Sequence, residues 1–125
     1  MSERAQTPLM LYVVEDDART RQELERILTR HTDLEVRSFE APLDALSQLD
    51  SARPDLALID LRLPQMDGLT LLERVSERVP DVMAIVMTGY GEAETPRRAR
   101  ERGAVDFVQK PLDLPYLLVT LRQLA

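Results

Sequence analysis

An α/β fold built on a five-stranded parallel sheet is what this sequence predicts, and three observations predict it. Short apolar runs alternate with stretches of helical spacing along the whole chain, the pattern of strands joined by crossover helices. Two of those runs, residues 55–60 and 82–87, carry no polar alternation, as expected of strands covered on both faces. Several runs stop at a polar residue followed by Gly or Pro, so reactive side chains are delivered to the mouth of the sheet at its carboxyl edge, where open α/β sheets bind ligands.

The elements follow in order. Residues 9–14 are nearly all apolar and end abruptly at Glu15-Asp16-Asp17, a strand handing over to an acidic loop. From Ala18 the spacing becomes helical, with Leu24, Ile27 and Leu28 on one face; Asp17 suits the N-cap, and the helix should close near His31. Residues 34–39 alternate apolar and polar, which predicts a less buried edge strand. Ala41-Pro42 opens a second helix with Pro42 in its first turn and Leu43, Leu46 and Leu49 inward, broken at Arg53-Pro54. The strand ending at Asp60 follows, and Pro64 and Gly68 turn the chain into a third helix through Leu69, Leu71, Leu72, Val75 and Val79, which Pro80 terminates. Residues 82–87 lead to Thr88-Gly89-Tyr90-Gly91, where glycines let backbone approach whatever sits beside Thr88.

Residues 92–102 predict a weakly packed fourth helix, because Arg97, Arg98, Arg100 and Arg102 crowd it, Pro96 sits inside it, and only Ala93 and Ala99 are apolar; Gly103 stops it. Residues 105–109 form a short strand that delivers Lys110-Pro111, and Asp113 caps a last helix carrying Leu117, Leu118, Leu121 and Leu124.

At 125 residues the chain is one domain, 1–125, with an ordered core over about 9–124. A net charge of −6 argues against direct nucleic-acid binding, and the absence of cysteine excludes disulfides and thiolate chemistry. No apolar run reaches the ~18 residues of a membrane span, and the first eight residues lack a signal-peptide core, so a cytoplasmic location is expected.

Four strand ends carry Glu15 with Asp16, Asp60, Thr88 and Lys110. Clustered carboxylates repel one another, and a hard divalent cation such as Mg2+ relieves the repulsion and keeps Asp60 ionised. Asp60 is then a candidate nucleophile or metal ligand, and a phosphoryl group placed on it would meet Mg2+, the Lys110 ammonium and the Thr88 hydroxyl.

Taken together, Val13-Val14-Glu15-Asp16-Asp17, Ile59-Asp60-Leu61-Arg62-Leu63-Pro64 with Met66-Asp67-Gly68, Met87-Thr88-Gly89 and Phe107-Val108-Gln109-Lys110-Pro111 resemble, in order and separation, the receiver domain of two-component response regulators. The resemblance implies a doubly wound, flavodoxin-like sheet of strand order 2-1-3-4-5, with Asp60 as phosphoacceptor. It implies Mg2+ held by Asp16, Asp60 and the backbone carbonyl of Arg62, with Glu15 acting through water. Thr88 and Lys110 would serve the chemistry, Thr88 and Phe107 would form a switch pair, and the Lys110–Pro111 bond would be cis. Arg62 and Tyr90 stand where the family tunes attack of water on the acyl phosphate. Phe107 replaces the tyrosine common in relatives, and Arg100 and Pro96 replace apolar or small residues.

The expected partner is a sensor histidine kinase, with no catalysis beyond the chain's own phosphorylation and dephosphorylation. The expected parent is a transcriptional regulator of which this is the N-terminal part; a free-standing receiver acting by protein–protein contact is the alternative. Either form could dimerise on phosphorylation. A Mg2+-dependent phosphatase with an aspartyl nucleophile ranks lower, because such enzymes want a second Asp where Arg62 stands, and a nucleotide or flavin module lacks a glycine-rich cradle. His31, the single histidine, reads as a surface residue at a helix end, and the arginines of the fourth helix as a solvated face or a docking surface for an acidic partner.

Overall fold

The structure is a computed structural model and describes residues 8–89 and 95–125. Ten elements alternate: β1 (Met10–Val14), α1 (Ala18–His31), β2 (Glu35–Phe39), α2 (Pro42–Ser47), β3 (Leu56–Asp60), α3 (Gly68–Arg78), β4 (Met83–Thr88), α4 (Thr95–Glu101), β5 (Ala104–Gln109) and α5 (Leu114–Leu124). All strand pairs are parallel and the sheet order is β2-β1-β3-β4-β5, as the resemblance implied. Tyr90 and residues 92–94 of the expected fourth helix lie outside the described residues.

Side-chain alternation along the strands divides the interior into two layers. Tyr12, Val14, Ala57, Ile59, Ala84 and Val86 face α2, α3 and α4, while Leu11, Val13, Leu58, Ile85 and Met87 face α1 and α5. Burial of every residue of β3 confirms that it is covered on both faces, and β2 is the half-exposed edge. Inside the first layer the Tyr12 ring lies 4.8 Å from that of Phe39, and its hydroxyl donates to the carbonyl of Ala52.

The caps explain where helices begin. Asp17, Asp67 and Asp113 each accept a hydrogen bond from the backbone N–H three residues on, satisfying a donor that the first helical turn leaves free. Gly103 ends α4 with φ of +117°, a conformation that a Cβ disfavours.

Two expectations need correction. Leu43 is not inward: it is 53% exposed, and Ala45 and Leu49 are the buried residues there. Helical residues advance by roughly 100° each, so the face shared by Pro42, Ala45 and Leu49 turns Leu43 toward solvent. Nor does α2 run to Arg53-Pro54. It stops at Ser47, whose hydroxyl donates to the Asp44 carbonyl while the Gln48 N–H turns back to Ala45, tightening the last turn. In α4, the expectation of sparse apolar packing comes down, among the described residues, to Ala99, which is fully buried, while Arg97, Arg98 and Arg100 are exposed.

Candidate functional site at the carboxyl edge of the sheet

Glu15, Asp60 and Lys110 stand immediately after or at the ends of β1, β3 and β5, so parallel pairing brings residues far apart in sequence to one edge. Glu15 and Asp60 are buried, 1% and 5% exposed, and Asp16 beside them is open to solvent. One carboxylate oxygen from each of the three acids lies within 4.8 Å of the others.

The Lys110 ammonium spans the two buried acids, 2.7 Å from Glu15 Oε1 and 3.0 Å from Asp60 Oδ2. Charge-assisted bonds of this length are what allow two carboxylates to remain buried side by side. The remaining oxygens are also engaged. Glu15 Oε2 accepts the Asp17 N–H at 3.1 Å, and Asp60 Oδ1 accepts the Arg62 N–H at 3.0 Å.

Burial pushes the Glu15 carboxyl above its ordinary value; the bonds from Lys110 and the Asp17 amide pull it back in part, and neighbouring Asp60 adds to the rise. Burial would lower Lys110, but its bonds to Glu15 and then Asp60 outweigh that effect and leave it raised.

Two more residues shape this edge, one that did not stand out in the sequence and one whose contact did not. Arg21 Nη1 donates to the carbonyls of Glu15 at 2.9 Å and Asp16 at 3.4 Å, fastening the acidic loop to α1. Its only sequence signal is its place one turn after the Asp17 cap. Gly68 packs against the end of β3 so closely that a Cβ would collide with the Asp60 carbonyl oxygen and Leu61 Cα; its sequence signal was the turn made with Pro64, which did not reveal what it touches.

Thr88 is buried at the end of β4, and its hydroxyl donates to the Val108 carbonyl at 3.4 Å, a long and therefore weak contact. The Thr88 carbonyl accepts the Lys110 N–H at 2.8 Å, and the Lys110–Pro111 bond is cis. Phe107 is half-buried in the layer that holds Val86 and Ala99, and by alternation Thr88 faces the same side. The structure thus brings Glu15, Asp16, Asp60 and Lys110 into one cluster, with Thr88 and Phe107 beside it on the neighbouring strands.

The family model for the response regulator receiver domain matches residues 11–122. The chain belongs to that family. Among curated receiver-containing relatives, the DNA-binding transcriptional regulator NtrC of Proteus hauseri is 38% identical over 90% of this chain and 24% of its own length. A protein-glutamate methylesterase/protein-glutamine glutaminase of Anaeromyxobacter dehalogenans is 42% identical over 81% of this chain and 29% of its own length. The chain therefore spans about a quarter of the length of such relatives. A CheY-like receiver domain protein of Methanospirillum hungatei superposes with a TM-score of 0.87 at 26% identity, covering 94% of this chain and 93% of the other. The chain is thus a receiver domain of the two-component response regulators, and among the described residues no helix of this receiver is long and apolar enough to cross a membrane.

Receiver domains bind Mg2+ at an acidic pocket, and the donor set of this receiver fits that ion: three carboxylates, no nitrogen or sulfur ligand, and one acid open to solvent.

Proposed function

We propose that this receiver is a phosphorylation-controlled switch in which Asp60 takes a phosphoryl group from the phosphohistidine of a sensor kinase. The observation that carries the reading is the Lys110 ammonium shared by buried Glu15 and Asp60, which sets a cation 3.0 Å from the strand-end carboxylate of Asp60, beside the solvent-open Asp16. An Asp60 oxygen attacks phosphorus in line, a P–O bond forms as the P–N bond breaks, and the imidazole leaves with the electron pair. The Arg62 N–H fixes the orientation of the carboxylate for that attack.

Asp16, Asp60 and the Arg62 carbonyl would hold Mg2+, with Glu15 acting through water, and the ion would supply positive charge to the phosphoryl oxygens when bound. Lys110 follows the transferred charge with its own. The Thr88 hydroxyl, weakly held by Val108, is free to turn toward the phosphoryl group, and Phe107 repacks into the space that it vacates. Arg62 and Tyr90 govern access of water to the acyl phosphate.

The chain catalyses only its own phosphorylation and dephosphorylation; Arg62 stands where a phosphatase of this type would need a second acid. Resemblance to NtrC favours a cytoplasmic transcriptional regulator as parent, in which the phosphorylated receiver controls an attached output domain and dimerises, without itself touching DNA.

The test uses the full chain incubated with Mg2+ and acetyl phosphate, read by intact mass. A single phosphoryl adduct is expected in wild type and none in Asp60→Ala. An adduct of equal yield in both proteins, or in neither, overturns the reading.

A further inference from the structure

The Arg100 guanidinium lies over the ring of Phe107, 5.5 Å from its centroid. That is inside the range, about 6 Å, over which a cation is attracted to an aromatic face. We propose that Arg100 is a positioning residue for the switch: it holds the Phe107 ring on the α4 side of β5 and so sets how readily the ring turns inward. The proposal rests on the switch reading of Thr88 and Phe107 given above.

Phe107 is partly buried against the first layer, and the part of its ring left exposed has no hydroxyl with which to hydrogen-bond at the surface. Arg100 supplies the missing hold. It follows Ala99, the fully buried contact of α4, so its stem leaves the helix beside the seam with the sheet and reaches the ring. Arg97 is occupied elsewhere on the helix, 3.8 Å from Glu101 one turn on. The Phe107 N–H donates to Asp106 Oδ1 at 2.8 Å, which fixes the strand backbone and leaves rotation of the ring as the motion available. Two of the departures from the family pattern, phenylalanine for tyrosine and arginine for an apolar or small residue, thus meet in one contact. A cation takes over the anchoring that a phenol hydroxyl cannot provide here.

An exposed cation–π contact shifts a two-state population by roughly two- to fivefold. The chain has two phenylalanines, Phe39 and Phe107, so ring-labelled phenylalanine gives signals assignable with one Phe39→Leu control. NMR spectra of the full chain as wild type, Arg100→Gln and Arg100→Lys are compared, first alone and then during titration with Mg2+ and beryllofluoride. In the free protein, Arg100→Gln is expected to move the Phe107 signals part of the way toward their beryllofluoride-bound positions. It should also lower the half-saturating beryllofluoride concentration two- to fivefold, with Arg100→Lys falling between it and wild type. A normal wild-type response with Phe107 signals and half-saturation unchanged in Arg100→Gln overturns this proposal alone. No Asp60-dependent response in wild type overturns it together with the switch reading.

Discussion

Gly68 lies against the Asp60 carbonyl so tightly that no side chain can be placed between them. The first residue of α3 therefore fixes the height at which the strand carrying the candidate nucleophile ends. Replacement by alanine forces β3 and the α3 entry apart, since the groups in the way are backbone and cannot rotate aside. Gly68→Ala is expected to lose roughly 1–3 kcal/mol, the usual cost of overpacking a tight contact. It should also lower the yield of the Asp60 adduct. Urea unfolding measures the first effect and intact mass the second; an unaltered adduct yield would show that Asp60 is positioned by other contacts.

Lys110→Met removes the cation shared by Glu15 and Asp60 and leaves two acids buried side by side. The loss at neutral pH should be about 1–3 kcal/mol, between the values for surface and fully buried pairs. A pH signature accompanies it. Lys110 is raised above 10.5 in the fold, so the stability it contributes is complete below that pH and disappears as pH climbs through the folded value. Tyr12, raised above 10.0 chiefly by burial, loses stability over the same alkaline range. Wild type should therefore weaken steeply on the alkaline side, and Lys110→Met should keep only the Tyr12 part, as urea midpoints measured across that range would reveal.

Mg2+ is expected to raise the melting temperature, because an ion that binds the folded chain alone stabilises it by mass action, about 2.7 kcal/mol at a hundred times Kd. Asp16→Asn deletes an exposed candidate ligand and leaves the buried ion pairs intact. The variant should fold as well as wild type and respond much less to the ion. A scanning-calorimetry series over Mg2+ concentration decides this, and equal responses would remove Asp16 from the ligand set.

Tyr12→Phe tests the interior apart from the site. The hydroxyl donates to the buried Ala52 carbonyl, and its removal leaves that carbonyl without this partner at a cost of roughly 1–3 kcal/mol. The adduct on Asp60 should form unchanged, with the lost stability visible only in the denaturant midpoint.

Much of this was legible in the sequence, for reasons tied to particular residues. The unbroken apolar runs of β3 and β4 announced strands covered on both faces, and Asp17 and Asp113 cap the helices they were read to cap, whereas the Asp67 cap went unread. Leu43 misled because a helix as short as α2 offers too few turns for periodicity to select one face, and Ala45 fills the inward position instead. Arg21 and Arg100 were illegible as site residues, because arginine on a helix reads as solvated surface until something is known to lie within its reach.

The order of strands and helices and the identity of the residues at strand ends belong to the sequence itself, because hydrophobic period and turn chemistry are local properties of the chain. What lies within 3 Å of what is not local. That Lys110 joins Glu15 to Asp60, that Gly68 abuts the Asp60 carbonyl and that Arg100 covers Phe107 were decided by parallel pairing and helix packing, which alone set distances between segments remote along the chain.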